Sequence, residues 1–251
     1  MKFISIALIA LTSTLGSIAA WGQAAPVVIP TSFSKVYAPN GYDDNDKVQI
    51  VGEGLFPNSC YRYEDTKIKV NHESKTISLE SSAYKYQGIC LMVIVPFDQV
   101  LDVGLLQKGT YKIVEARSNQ KLGEVSIKSA VKAEPDDFIY APISQAFYKQ
   151  GCFSDDIYLT GNFPLSCMKI TDVQLHLQSD VVVVQPIVEI DASKSCVSGE
   201  FPFKKSVNAS FLKPGRYMLH VRSMNGKAIN SLVDVHPKSY LDCDASEDWG
   251  K

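Results

Sequence analysis

The sequence predicts an all-β protein, two tandem β-sandwich domains after a signal peptide. Three observations carry that prediction. Apolar residues alternate with period two or form short β-branched runs, a long internal repeat fills most of the chain, and the N-terminus reads as an export signal. The 251 residues are enough for one large domain or two smaller ones. With 45% hydrophobic and 21% charged residues the chain can bury a core, which excludes a disordered, collagen-like or multi-span membrane protein. The 25 basic and 27 acidic side chains nearly cancel, so no overall basic field exists to hold nucleic acid or an anionic membrane.

Residues 1–24 have the order of a signal peptide. Lys2 supplies the positive start, Phe3 to Leu11 the apolar stretch, and small residues offer cleavage after Ala19 or Ala24. The apolar stretch is shorter than the ~20 residues that span a bilayer, so cleavage is expected rather than anchoring. The first cysteine is Cys60, too late for a lipid anchor, and the acidic tail at 238–251 has no hydrophobic segment. The expectation is a secreted or periplasmic chain whose mature form does not insert into a membrane.

The repeat is read from ordered matches. Val36-Tyr37-Ala38-Pro39 recurs as Ile139-Tyr140-Ala141-Pro142, and Gly54-Leu55-Phe56-Pro57-Asn58-Ser59-Cys60 as Gly161-Asn162-Phe163-Pro164-Leu165-Ser166-Cys167. Cys90 matches Cys196, Val95-Pro96-Phe97 matches Phe201-Pro202-Phe203, Gly109-Thr110-Tyr111 matches Gly215-Arg216-Tyr217, and Asn119 matches Asn225. The period is too long for a solenoid, so each copy is expected to be a domain, at 34–130 and 136–237, joined by Val131-Lys132-Ala133-Glu134-Pro135.

Each copy reads as β throughout. Val48-Gln49-Ile50-Val51, Ile68/Val70, Ile77/Leu79, Ile157-Tyr158-Leu159 and Val173/Leu175/Leu177 alternate, while Leu91–Val95 and Val181–Val184 read as buried strands. Turn signals such as Asn40-Gly41, Pro57-Asn58 and Asn225-Gly226 separate the runs. About seven short strands in ~100 residues is the count of an immunoglobulin-like sandwich. Tyr111 and Tyr217 each follow a Leu-x-x-Gly turn, where a tyrosine-corner phenol would bond to backbone.

The run Val48-Gln49-Ile50-Val51-Gly52-Glu53-Gly54-Leu55-Phe56, then Thr66-Lys67-Ile68-Lys69-Val70 and Val95-Pro96, resembles bacterial IPT/TIG-type and related immunoglobulin-like domains. Gly109-Thr110-Tyr111-Lys112-Ile113 and Gly215-Arg216-Tyr217-Met218-Leu219 look like the closing strand of that family. The resemblance implies a sandwich fold and, by analogy, adhesion or assembly; it brings no shared catalytic residues and no paired cysteines.

Six cysteines in an exported chain suggest three disulfides. The repeat pairs Cys60 with Cys90 and Cys167 with Cys196, between loops at one end of each sandwich. Cys152 and Cys243 remain, and a bridge between them would staple the acidic tail to the second domain. No two cysteines are close enough in sequence for a zinc-binding pair.

Tyr61, Tyr63, Tyr84 and Tyr86 cluster near the Cys60–Cys90 end and are the candidate binding residues, since tyrosine-rich loops bind at low entropic cost. Their second-copy counterparts Met168, Ile170, Ile190 and Ala192 favour a core-facing reading instead. Asp43-Asp44-Asn45-Asp46 and Ser154-Asp155-Asp156 read as acidic turns matching no full calcium motif. His72, His176, His220 and His236 are scattered, and no nucleophile, zinc or phosphate-loop motif occurs after the signal. No catalytic residue, metal or cofactor is expected. The expected function is an exported, non-catalytic binding or assembly module of the cell envelope or extracellular space, with another envelope or extracellular protein as partner. The alternatives are a soluble glycan or small-molecule binder and a periplasmic chaperone-like protein.

Overall fold

The computed structural model describes residues 25–238, apart from 134, 135, 137, 192 and 194. The expected signal peptide at 1–24, Pro135 of the linker and the tail from 239 onward lie outside the described residues. So does Cys243, and with it the expected Cys152–Cys243 bridge.

The described residues form sixteen strands and no helix. The first nine are β1 (Val27–Thr31), β2 (Lys35–Tyr37), β3 (Tyr42–Asp43), β4 (Lys47–Phe56), β5 (Tyr61–Asn71), β6 (Thr76–Lys85), β7 (Val95–Leu105), β8 (Gly109–Glu115) and β9 (Lys121–Lys128). The last seven are β10 (Ile143–Gln150), β11 (Asp155–Leu165), β12 (Met168–Gln178), β13 (Val181–Ile190), β14 (Ser198–Asn208), β15 (Gly215–Ser223) and β16 (Lys227–Val235). Sheet β2-β4-β7 faces sheet β5-β6-β8-β9-β3, and sheet β10-β11-β14 faces sheet β12-β13-β15-β16. The chain is thus all-β and folded as β-sandwiches, each with its own core of inward-facing apolar residues. β1 lies ahead of residue 34 yet pairs with β6 from Ser81 to Lys85, extending the edge that β8 occupies from Thr76 to Leu79.

Both copies share an unusual register. β6 runs parallel to β8, and β13 parallel to β15, where neighbouring strands of an immunoglobulin sheet are mostly antiparallel. A parallel pair needs a crossover, and β7 or β14 supplies it by crossing to the opposite sheet. Asn119 and Asn225 each take a left-handed φ, 58° and 63°, in the hairpin that follows, a conformation asparagine tolerates.

The repeated heptapeptides are a packing device. Gly54 stands opposite Phe97, and Gly161 opposite Phe203, in adjacent strands. Each phenylalanine lies over the bare backbone of its glycine and stacks on the next aromatic. Phe97 lies 4.1 Å from Phe56 and Phe203 lies 4.3 Å from Phe163, centroid to centroid.

Three expectations need correcting. Leu91–Ile94 are exposed and outside any strand, β7 starting only at Val95, because a short apolar run does not distinguish a buried strand from an apolar loop. The tetrapeptide match is out of structural register: Val36 and Tyr37 pair with β4, whereas Tyr140 bridges to Ile187 of the other sheet in its sandwich. Tyr217 does form the corner, its hydroxyl donating to the Lys213 carbonyl at 3.0 Å. Tyr111 instead meets His72 Nδ1 at 2.9 Å and Lys75 Nζ at 3.3 Å. The longer β5–β6 turn brings those side chains to the phenol, and the two-residue β12–β13 turn offers none.

The sandwiches pack on each other. Val182 and Val184 enter the core of the second, while Val181 and Val183 turn outward against Tyr37 and Val51 of the first, joined by Met218 and Leu232. Around this apolar patch Arg216 pairs with Glu53 at 2.7 Å, Asn230 donates to Gln49 Oε1 at 2.7 Å, and Lys35 pairs with Asp180.

Candidate functional site

The two sandwiches close the corresponding end with the same covalent and hydrogen-bonded frame. Cys60–Cys90 and Cys167–Cys196 are disulfides, with Cα separations of 5.3 and 5.2 Å, each tying the turn before the third core strand to the following crossover loop. Ser59 N–H donates to the Leu91 carbonyl and its Oγ accepts from Leu91 N–H; Ser166 and Val197 repeat both bonds. Tyr86 N–H donates to the Cys60 carbonyl as Asp191 N–H does to the Cys167 carbonyl. Such bonds belong to a chain that folds in an oxidising compartment.

On this common frame the tips differ. The second copy reads Asp191-Ala192-Ser193-Lys194-Ser195-Cys196 and enters β14 one residue after Val197. The first reads Tyr86-Gln87-Gly88-Ile89-Cys90-Leu91 and continues Met92-Val93-Ile94 before β7, where the second copy has Ser198-Gly199-Glu200, already part of β14. These three residues are apolar, and their counterparts are small or polar. Ile89 is 101% exposed, Met92 82%, Ile94 69% and Leu91 67%. Consecutive large apolar side chains facing water cost free energy that a monomeric fold normally avoids. The second copy closes the same frame with Ser198-Gly199-Glu200 in their place, so the fold does not require apolar side chains there.

The four candidate tyrosines flank this loop but do not form one surface. Tyr61 and Tyr63 share a face of β5 and look inward, Tyr61 stacking on Phe56 at 5.9 Å and Tyr63 packing on Phe33 and Phe97. Burial raises the Tyr63 phenol pKa, and its hydroxyl donates to Thr66 Oγ1 at 2.8 Å. Tyr61 stands opposite Lys85 across the β5–β6 ladder, so Tyr84 lies on the other face of the sheet, with Tyr86 6.5 Å away. Tyr84 and Tyr86 therefore join the outward rim of the loop, and Tyr61 and Tyr63 join its foundation.

The acidic turns have structural engagements. Asp46 pairs with Arg222, and Asp155 Oδ1 accepts from Gly151 N–H at 3.2 Å and lies 3.2 Å from Lys238.

Residues 50–127 match the family described as the ORF11 beta-sandwich domain. The matched span runs from within β4 to within β9, so it contains the Cys60–Cys90 frame and the apolar loop. No curated protein and no solved structure matches the chain. The match supports the β-sandwich fold of the first copy and assigns no activity.

Sequence reasoning missed the loop, although a signal was present. The repeat offset is 106 both from Cys90 to Cys196 and from Phe97 to Phe203, so Met92-Val93-Ile94 align with Ser198-Gly199-Glu200, and that exchange of apolar for small or polar residues is the signal.

Proposed function

We propose that this protein is an exported, non-catalytic binding or assembly module that engages an apolar recess of another envelope or extracellular protein through the Ile89–Ile94 loop. One observation carries the reading: an exposed apolar Leu91–Ile94 segment stands on a disulfide frame whose second copy has Ser198-Gly199-Glu200 at the positions of Met92-Val93-Ile94. The loop projects from the end of a sandwich rather than lining a cavity, so it fits into a partner. Its base is fixed by the Cys60–Cys90 bond and the Ser59–Leu91 hydrogen bonds, which reduces the ordering cost of binding. The packing between the sandwiches makes the second a rigid support. Disulfides and the residue 1–24 signal are consistent with export to the periplasm or beyond.

The test is the combined change Met92→Ser, Val93→Gly and Ile94→Glu, the residues of the second copy, in producing cells, followed by recovery of the native protein. The reading expects a stable, correctly oxidised chain that has lost a co-purifying partner; a variant retaining every partner of the parent contradicts it.

A further inference from the structure

A second surface, independent of the apolar loop, lies where the two sandwiches meet. There a cleft of about 380 Å³ opens between the Asn40-Gly41 turn and β9 of the first copy and β12, β13 and β15 of the second. Small-molecule sites commonly occupy interdomain clefts of roughly 300–1,000 Å³. Val183 and Arg222 line its buried part, and Asn40, Lys128, His176 and Gln178 line its walls.

Three features give the cleft a chemistry. First, Lys128 gives it a positive charge that no lining carboxylate opposes, whereas the Arg222 charge is matched by Asp46. Lys128 makes no ion pair among the described residues. Second, the amides of Asn40 and Gln178 have no hydrogen-bond partner within the described chain, so donors and acceptors stand ready for hydroxyl groups. Gln185, also in the lining, donates to Tyr140 Oη at 2.9 Å, which fixes its amide. Third, the floor is pre-organised. The Arg222 guanidinium is held by two hydrogen bonds to Asp46, at 3.2 and 3.1 Å, and one to the Gly41 carbonyl at 3.0 Å. It lies 5.4 Å from the Tyr42 ring centroid and 6.0 Å from that of Tyr140. Its Nε is buried without a hydrogen-bond partner.

We infer that this interdomain cleft is a binding site for an acidic sugar, a hexuronate-sized molecule with one carboxylate directed to Lys128 and hydroxyls shared among the Asn40, Gln178 and Gln185 amides. A free cation selects the carboxylate, the unengaged amides select the hydroxyls, and the volume limits the ligand to one or two rings. The site needs both sandwiches, because neither copy alone supplies both walls. This explains a polar, one-signed recess beside an otherwise tightly closed apolar and ion-paired contact.

The experiment is a two-dimensional NMR titration of isotopically labelled, oxidised protein with D-glucuronate, with D-glucose and sulfate as comparison probes. The inference expects saturable shifts at Lys128, His176 and Gln178, and affinity for glucose weaker by about tenfold or more, the loss of one charge-assisted hydrogen bond. Sulfate, which lacks the ring hydroxyls, should bind more weakly than glucuronate. Lys128→Glu should abolish the glucuronate response, and Gln178→Ala should weaken it. The combined change Met92→Ser, Val93→Gly and Ile94→Glu should leave it unchanged, which separates this site from the loop. Absence of saturable shifts at the cleft overturns the inference. So does an equal response to sulfate, or a response that survives Lys128→Glu in a folded protein.

Discussion

Arg222 in β15 grips Asp46, 176 positions earlier in the chain, through two hydrogen bonds, and the side chains are only 9% and 5% exposed. Burial opposes the guanidinium charge, and Asp46 more than offsets that, raising the Arg222 pKa. Removing one partner strands the other charge in the interface. Arg222→Met should therefore cost about 3–5 kcal/mol, whereas the double change Arg222→Met with Asp46→Leu should recover much of that loss. Urea unfolding of the two variants checks the difference.

His220 lies in the same contact, 1% exposed, with its ring 5.6 Å from that of Tyr42. Asn230 Nδ2 donates to Gln49, so its Oδ1 accepts from His220 Nδ1–H at 2.6 Å. Burial pushes the His220 pKa down to about 4, despite the Asn230 hydrogen bond, with Arg222 adding to the depression. The unfolded chain binds the proton more readily, so this stabilisation is fully present above about pH 6.5 and is lost as pH falls toward 4. The loss attributable to His220 should be about 3 kcal/mol across that window, and His220→Gln should flatten that part of the stability–pH curve. Denaturant unfolding of both proteins at several pH values measures it.

The glycine–phenylalanine pairs should respond unequally to substitution. A Cβ at Gly54 would lie 2.5 Å from the Phe97 ring and 3.1 Å from the Ser32 carbonyl oxygen. A Cβ at Gly161 would lie 2.8 Å from the Phe203 ring and also overlap the Pro142 carbonyl oxygen, which is backbone. Gly54→Ala should cost roughly 1–3 kcal/mol and Gly161→Ala more, read as a lower Tm.

The combined change Met92→Ser, Val93→Gly and Ile94→Glu should alter unfolding free energy by less than about 0.5 kcal/mol, because these side chains are exposed and the second copy carries those residues at the matching positions. Replacing Cys60 and Cys90 together by serine should cost roughly 3–4 kcal/mol in the chain-entropy model. Thermal unfolding of the two variants separates the role of the frame from that of the tip.

Much of the fold was legible because local pattern and burial agree. Ile77 and Leu79 alternate with Thr76 and Ser78, since one side of β6 faces the core there. Val181–Val184 is continuous because β13 is covered on both faces, by its own core and by the other sandwich. The contrast between those matched strands was a sign of the interdomain contact, but a run of valines does not name what covers it. Leu91–Ile94 has the same composition and the opposite environment, so composition alone misplaced it. The two disulfides were legible through the repeat, which fixes their loops at one end. The Asp46–Arg222 pair was not, because it joins acidic-turn and strand residues that only the packing of the two copies brings together. The same holds for the cleft beside it, whose walls come from both copies.

The central claim is that the apolar tip, rather than the shared frame, meets a partner. A photo-crosslinking amino acid placed at position 92, and separately at Ser195 in the matched polar loop, tests it in intact producing cells. The account predicts one dominant adduct with another envelope or extracellular protein from position 92 and none from position 195. Equal labelling from both positions, or only uncrosslinked monomer from position 92, would contradict it.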